Sequence, residues 1–234
     1  MNFQYWRSRG ARAWLLLVAL LFAATAAWAH GVSESDAGFL TNATGVLILP
    51  FVYLGAKHMV TGYDHLLFLC GVIFFLYRMK EIGVYVTLFA LGHSTTLMLG
   101  VLNGWHINAY VVDALIGLSI AYRGFDNLGG FRTVFGVQPD KKAAVLIFGF
   151  FHGLGLATKL QDFKLSPDGL LPNMIAFNVG VEIGQLLALS LILIAMRYWR
   201  STASFMRHAF ASNFALMACG LMLAGYQFTG FLTR

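Results

Sequence analysis

Four stretches of this sequence set ionisable side chains among apolar ones. In His58-Met59-Val60-Thr61-Gly62-Tyr63-Asp64-His65, two imidazoles and a carboxylate lie close together along the chain. His93 stands in Gly92-His93-Ser94-Thr95-Thr96, and His152 in Phe150-Phe151-His152-Gly153-Leu154-Gly155. Asn178, Glu182 and Gln185 follow one another at helical spacings of four and three, so they share one helix face. Imidazoles with a carboxylate suit a divalent transition metal such as nickel, zinc, copper or iron; calcium and magnesium prefer oxygen cages. Helix bundles build such sites with ligands drawn from different helices. His65, His93, His152 and Glu182 are therefore the expected core of a metal site. Ser94, Thr95 and Thr96 are placed to orient the ligands from behind. Taken singly, each imidazole reads equally well as a structural residue bonded across helices; taken together, they favour the metal. Asp113 reads as a site member or as a structural hydrogen-bonding group. His106 and His208 fall in connecting segments, and Cys70 and Cys219 sit in apolar runs as packing residues.

The surroundings of these residues are those of a bilayer. Of the 234 residues, 59% are apolar and 11% charged, against about 45–50% and about 25% in soluble domains. The mean hydropathy is +0.71. That composition excludes a soluble globule, a disordered chain, a nucleic-acid binder and a disulfide scaffold. In lipid, an ionisable group costs about 2.5–3.5 kcal/mol on insertion scales, so those retained there mark a pathway or a site.

The elements that must position them are helices: an all-α, polytopic membrane bundle. Residues 1–29 read as a signal peptide, with Arg7, Arg9 and Arg12 before an apolar stretch and Ala27-Trp28-Ala29 as the cleavage site; the alternative is an uncleaved first span. Residues 30–234 then form one transmembrane domain. Apolar runs near 62–78, 82–102, 108–124, 143–160, 173–197 and 209–231 predict six spans. The shorter run from Gly45 to Ala56 suits a re-entrant or interfacial helix. With the mature N-terminus outside, the inner segments carry Arg78, Lys80, Arg123, Arg132, Lys141, Lys142, Arg197, Arg200 and Arg207, and the outer ones Lys57, Lys159, Lys164 and Arg234. This asymmetry agrees with the positive-inside rule, and a full crossing added at Gly45–Ala56 would invert it. At 1.5 Å per residue, His65, His93, His152 and Glu182 are expected to meet in the outer half of the membrane. Cleavage after Ala29 would free His30, whose amine and imidazole could capture an ion at the periplasmic surface beside Glu34 and Asp36.

In order, the His-x5-Asp-His segment, Gly92-His93-Ser94-Thr95-Thr96-Leu97, Phe151-His152-Gly153 and Phe177-Asn178-Val179-Gly180-Val181-Glu182-Ile183-Gly184-Gln185 resemble the HupE/UreJ family of bacterial membrane proteins, across about residues 38–230. The resemblance implies nickel or cobalt movement across the inner membrane, with His58, Asp64, His65 and His152 as key positions. Met59 stands where nickel-linked members tend to carry Pro. Leu154-Gly155-Leu156-Ala157 stands where they carry a Glu, so the chain is most similar to the family's second branch.

Two functions compete. A permease would capture the ion at His30, His58 and Asp64, pass it through His65, His93, His152 and Glu182, and use Asn178 and Gln185 as weaker ligands. Its partners would be the bilayer, the metal ion and either a second copy or a periplasmic metal-delivery protein. No Walker-type loop is present to hydrolyse ATP. An intramembrane zinc hydrolase acting on a lipid or lipoprotein would instead use three His ligands, Asp64 or Glu182 as general base and Ser94 as an oxyanion or headgroup donor.

Overall fold

A computed structural model describes residues 34–163 and 165–233. The signal segment, His30 and Lys164 lie outside them. The described residues form helices without strands: α1 (Glu34–Asn42), α2 (Ile48–Thr61), α3 (Tyr63–Ile73), α4 (Met79–Leu102), α5 (Ala109–Asn127), α6 (Gly130–Phe135), α7 (Lys141–Gln161), α8 (Leu170–Arg200) and α9 (Ser204–Thr233). Of these, α4, α7, α8 and α9 are long and apolar enough to cross a membrane. Their outward faces carry large apolar side chains, such as Leu191 and Ile194 on α8 and Phe210 on α9, all exposed. In water such a surface would be untenable; in lipid it costs nothing.

One stretch is divided differently from the apolar pattern. The Gly45–Ala56 run, expected to stand apart from a span over 62–78, is the body of α2, and α2 continues into α3 after a break at Gly62. Gly62 leaves the helical region (φ −70°, ψ 97°), yet its N–H still closes on the His58 carbonyl at 2.9 Å. α2 runs alongside α8 in the same direction, and α3, which packs mainly on α5, meets α8 again at its far end. The Asn173 side chain bonds Gly45 and Leu47, Gly180 lies on Val52, and Gly184 lies on Ala56. Near the far end, Arg200 donates to the carbonyls of Ile73, Phe74 and Leu76. The sequence offset stays nearly constant along this line, so α2 does not fold back on itself. It is the first half of one interrupted helix.

Three tight helix pairs make the frame, and each is sealed by small residues. A methyl group at Gly180 would fall on the Val52 carbonyl (α8 on α2), one at Gly149 on the Phe89 carbonyl (α7 on α4), and one at Gly220 on Ala121 (α9 on α5). Gly149-x3-Gly153 and Gly180-x3-Gly184 are small-x3-small seams, which let helix backbones approach closely where lipid offers no hydrophobic drive. The α2/α8 and α4/α7 pairs are parallel, while α5/α9 is antiparallel, with Gly117 near Ala224 and Gly124 near Met217. The short α3 lies against α5 and α2 and touches α8 and α9.

Candidate metal centre

The break at Gly62 builds the site. It ends α2 one turn after His58 and starts α3 with Asp64 and His65 in its first turn. A carboxylate there is favoured by the N-terminal end of α3's dipole, and the C-terminal end of α2 contributes partial negative charge that favours a cation. Gly62 must be small. A Cβ there would meet His65 Nδ1, Asp64 Oδ1 and the His58 carbonyl, so any side chain at that position would fill the space between these groups.

His65 is the hub. Its ring centroid lies 5.1 Å from that of His58, 5.8 Å from His93 and 5.0 Å from His152. These rings come from α2, α3, α4 and α7. The His93 ring is fixed by stacking on Phe89 at 6.1 Å, and His152 packs against Phe89 at 5.1 Å and Phe68 at 5.3 Å. Gly153 rests on the His93 carbonyl, and Thr96 Oγ1 donates to the Phe150 carbonyl at 2.7 Å, which sets the register of α4 against α7 at the level of both imidazoles. Asp64, His65, His93 and His152 are all buried, and His58 is half-buried.

The polar bookkeeping is what marks this as a site. His65 Nδ1 lies 3.1 Å from Asp64 Oδ1. A carboxylate there holds the proton on Nδ1 and leaves the Nε2 lone pair for a metal. His65 Nε2, His58 Nε2 and both nitrogens of His93 are buried with no hydrogen-bond partner. Buried polar groups are nearly always paired, so several orphans facing one another make this cluster a candidate site for a ligand. Two groupings bring one ligand atom from each residue within 4.8 Å of the others: His58, His65 and His93, and Asp64, His65 and His152. The two groupings share His65.

Other expected residues lie elsewhere. Glu182 is exposed on α8 and belongs to neither grouping: the three-residue step from 182 to 185 rotates it off the buried face. Asn178 and Gln185 are buried on α8; Asn178 donates to the Met174 carbonyl at 3.2 Å with its Oδ1 unpaired, and Gln185 donates to the Val86 carbonyl at 3.3 Å. Ser94 Oγ is buried next to His93 and has no partner. His106 is exposed, 3.3 Å from Asp162, and His208 bonds within its own helix. Asp113 is held by Lys159 in an ion pair of 2.8 Å. Ser119 adds a polar contact at the cluster: its hydroxyl lies 3.2 Å from His152 Nε2 while donating to the Ile116 carbonyl at 2.7 Å. Arg123, assigned to an inner loop, is buried within α5 and paired with Asp126 at 2.6 Å. The i, i+3 spacing of Arg123 and Asp126 was the available signal for that pair.

No curated protein and no solved structure gives a significant match to this chain. A family model described as HupE / UreJ protein matches residues 34–234, which include every residue of the imidazole cluster and all nine helices described. With a match over most of its length, the chain belongs to the HupE/UreJ family.

Proposed function

We propose that this chain is an inner-membrane permease for a divalent transition cation of the nickel or cobalt class. The observation that carries it is the set of buried, unpaired imidazole nitrogens of His58, His65 and His93 gathered beside Asp64 inside an apolar bundle. Membership in a family associated with nickel and cobalt transport supports the same reading. The broken helix α2–α3 counts as one crossing, so with α4, α5, α7, α8 and α9 the chain makes six crossings. The excess of Lys and Arg then lies on the cytoplasmic side, and the segment before α2 faces the periplasm. An ion arriving from that side is taken by His58, His65 and His93 and handed across His65 to Asp64 and His152. Ligands that must both strip water and release the ion are better arranged as linked partial sites than as one closed cage.

The test is flux. Purified protein in liposomes should load an entrapped nickel or cobalt indicator, and His65→Ala should abolish loading because it removes the ligand common to both groupings. The buried, unpaired hydroxyl of Ser94, next to His93 in the sequence, is the feature among the described residues that favours a zinc hydrolase. Tightly bound zinc without any flux, together with hydrolysis of a lipid ester or amide, would establish that reading instead.

A further inference from the structure

Two ion pairs with buried carboxylates bracket the imidazole cluster along α5. Ser119 marks the level of the cluster through His152. Asp113 lies six residues before it and Arg123 four after it, about 9 Å to one side and about 6 Å to the other along the helix axis. Asp113 accepts two hydrogen bonds from Lys159 Nζ, at 2.8 and 2.9 Å. Arg123 donates to Asp126 at 2.6 Å and reaches the Gly71 and Val72 carbonyls at 3.5 and 3.4 Å. Asp113, Arg123 and Asp126 are buried.

A divalent cation leaving the cluster along α5 would meet, in either direction, a basic side chain already paired with a carboxylate. Like-charge repulsion is steep where the dielectric is low. In each direction the carboxylate that would welcome the ion is already occupied by the protein's own cation. Such pairs are poor staples, since a buried ion pair is often replaceable by apolar residues without loss of stability. They are better placed as barriers. We propose that Lys159–Asp113 and Arg123–Asp126 are the outer and inner gates of the cation's route, each opening when the passing ion takes the carboxylate from the basic side chain. This inference rests on the permease reading. The inner pair is built to open, because Asp126 also accepts from Gln138 Nε2 at 2.7 Å and has Lys141 Nζ at 3.7 Å. Arg123 can thus swing away without stranding a buried carboxylate. The same guanidinium holds the last turn of α3, whose first turn carries Asp64 and His65, so opening the inner gate also loosens the helix that supplies two ligands.

The experiment compares wild type with the double variants Lys159→Met/Asp113→Asn and Arg123→Gln/Asp126→Asn in liposomes, reading nickel flux and bound nickel per protein. Expected is at least a tenfold rise in flux for each double variant with bound nickel unchanged. Flux in the variants across an otherwise sealed wild type would support the gates equally. Arg123→Lys keeps the charge but gives up the guanidinium's reach to the Gly71 and Val72 carbonyls. It serves if a double variant fails to fold, with a rise in flux of less than tenfold expected, and a rise of tenfold or more in Arg123→Lys would overturn the inference. So would variants whose flux is unchanged or lost while nickel stays bound, or variants that no longer bind nickel. If wild type and variants all bind nickel and none passes it, the permease reading itself falls and the gates fall with it.

Discussion

Replacing His93 with Leu should make the ion-free protein more stable and at the same time blind to metal. His93 is fully buried, and neither of its ring nitrogens has a hydrogen-bond partner. Each buried polar group left unsatisfied costs about 1–3 kcal/mol. Leu removes both nitrogens. It forfeits the ring stacking on Phe89, worth about 0.5–1.5 kcal/mol, and a change of shape at similar volume usually costs less than about 1.5 kcal/mol. The balance favours His93→Leu by about 1–3 kcal/mol, which for a chain of this size raises the melting temperature by about 2–4 °C per kcal/mol. Nickel at a hundred times its dissociation constant stabilises a native site by about 2.7 kcal/mol, so the wild type should gain about 5–10 °C on nickel addition and His93→Leu almost none. The assay is thermal unfolding in detergent, followed by tryptophan fluorescence, with chelator and then with nickel. A variant that melts below wild type in chelator and still shows the full nickel shift would refute the reasoning, because it would mean that the His93 nitrogens are satisfied within the protein and take no part in binding.

Gly62→Ala should weaken nickel affinity by tenfold or more in a direct binding titration while leaving the helix content unchanged by circular dichroism, since its Cβ would enter the space between His65 Nδ1 and Asp64 Oδ1. Gly180→Ala would press a methyl onto the Val52 carbonyl; overpacking of about 2 kcal/mol should lower the melting temperature by about 4–8 °C. Asp64→Asn replaces the carboxylate beside His65 Nδ1 with a neutral amide, and nickel affinity should fall by about 10–100-fold. Glu182→Gln, altering a side chain that lies exposed outside both groupings, should leave nickel binding at the wild-type value in the same titration.

The architecture was readable because lipid imposes simple rules. Apolar length located α4, α5, α7, α8 and α9 to within a few residues, and misplaced histidines located the cluster. Two things were hidden. Hydropathy cannot distinguish a helix interrupted at Gly62 from two separate segments, because the break depends on backbone geometry at one glycine and on the register of α2 and α3 along α8. Glu182 illustrates the second. Helical spacing puts Asn178, Glu182 and Gln185 on neighbouring rows, but which row meets a partner helix is set by the close approach at Gly180 and Gly184, and that rotation leaves Glu182 outside. The pairing of Lys159 with Asp113 joins residues 46 apart in sequence, so only the packing of α7 on α5 brings them together.

The central claim is that imidazoles from α2, α3 and α4 hold a cation at His65, next to a second partial site made with Asp64 and the α7 imidazole. X-ray absorption spectroscopy at the metal edge, on purified protein loaded with one equivalent of nickel or cobalt, tests it most directly. The expected spectrum shows multiple scattering from two or more imidazoles in an all nitrogen and oxygen shell, with that scattering reduced in His65→Ala. A shell of water oxygens alone, a sulfur ligand, or a spectrum unaltered by His65→Ala would contradict it.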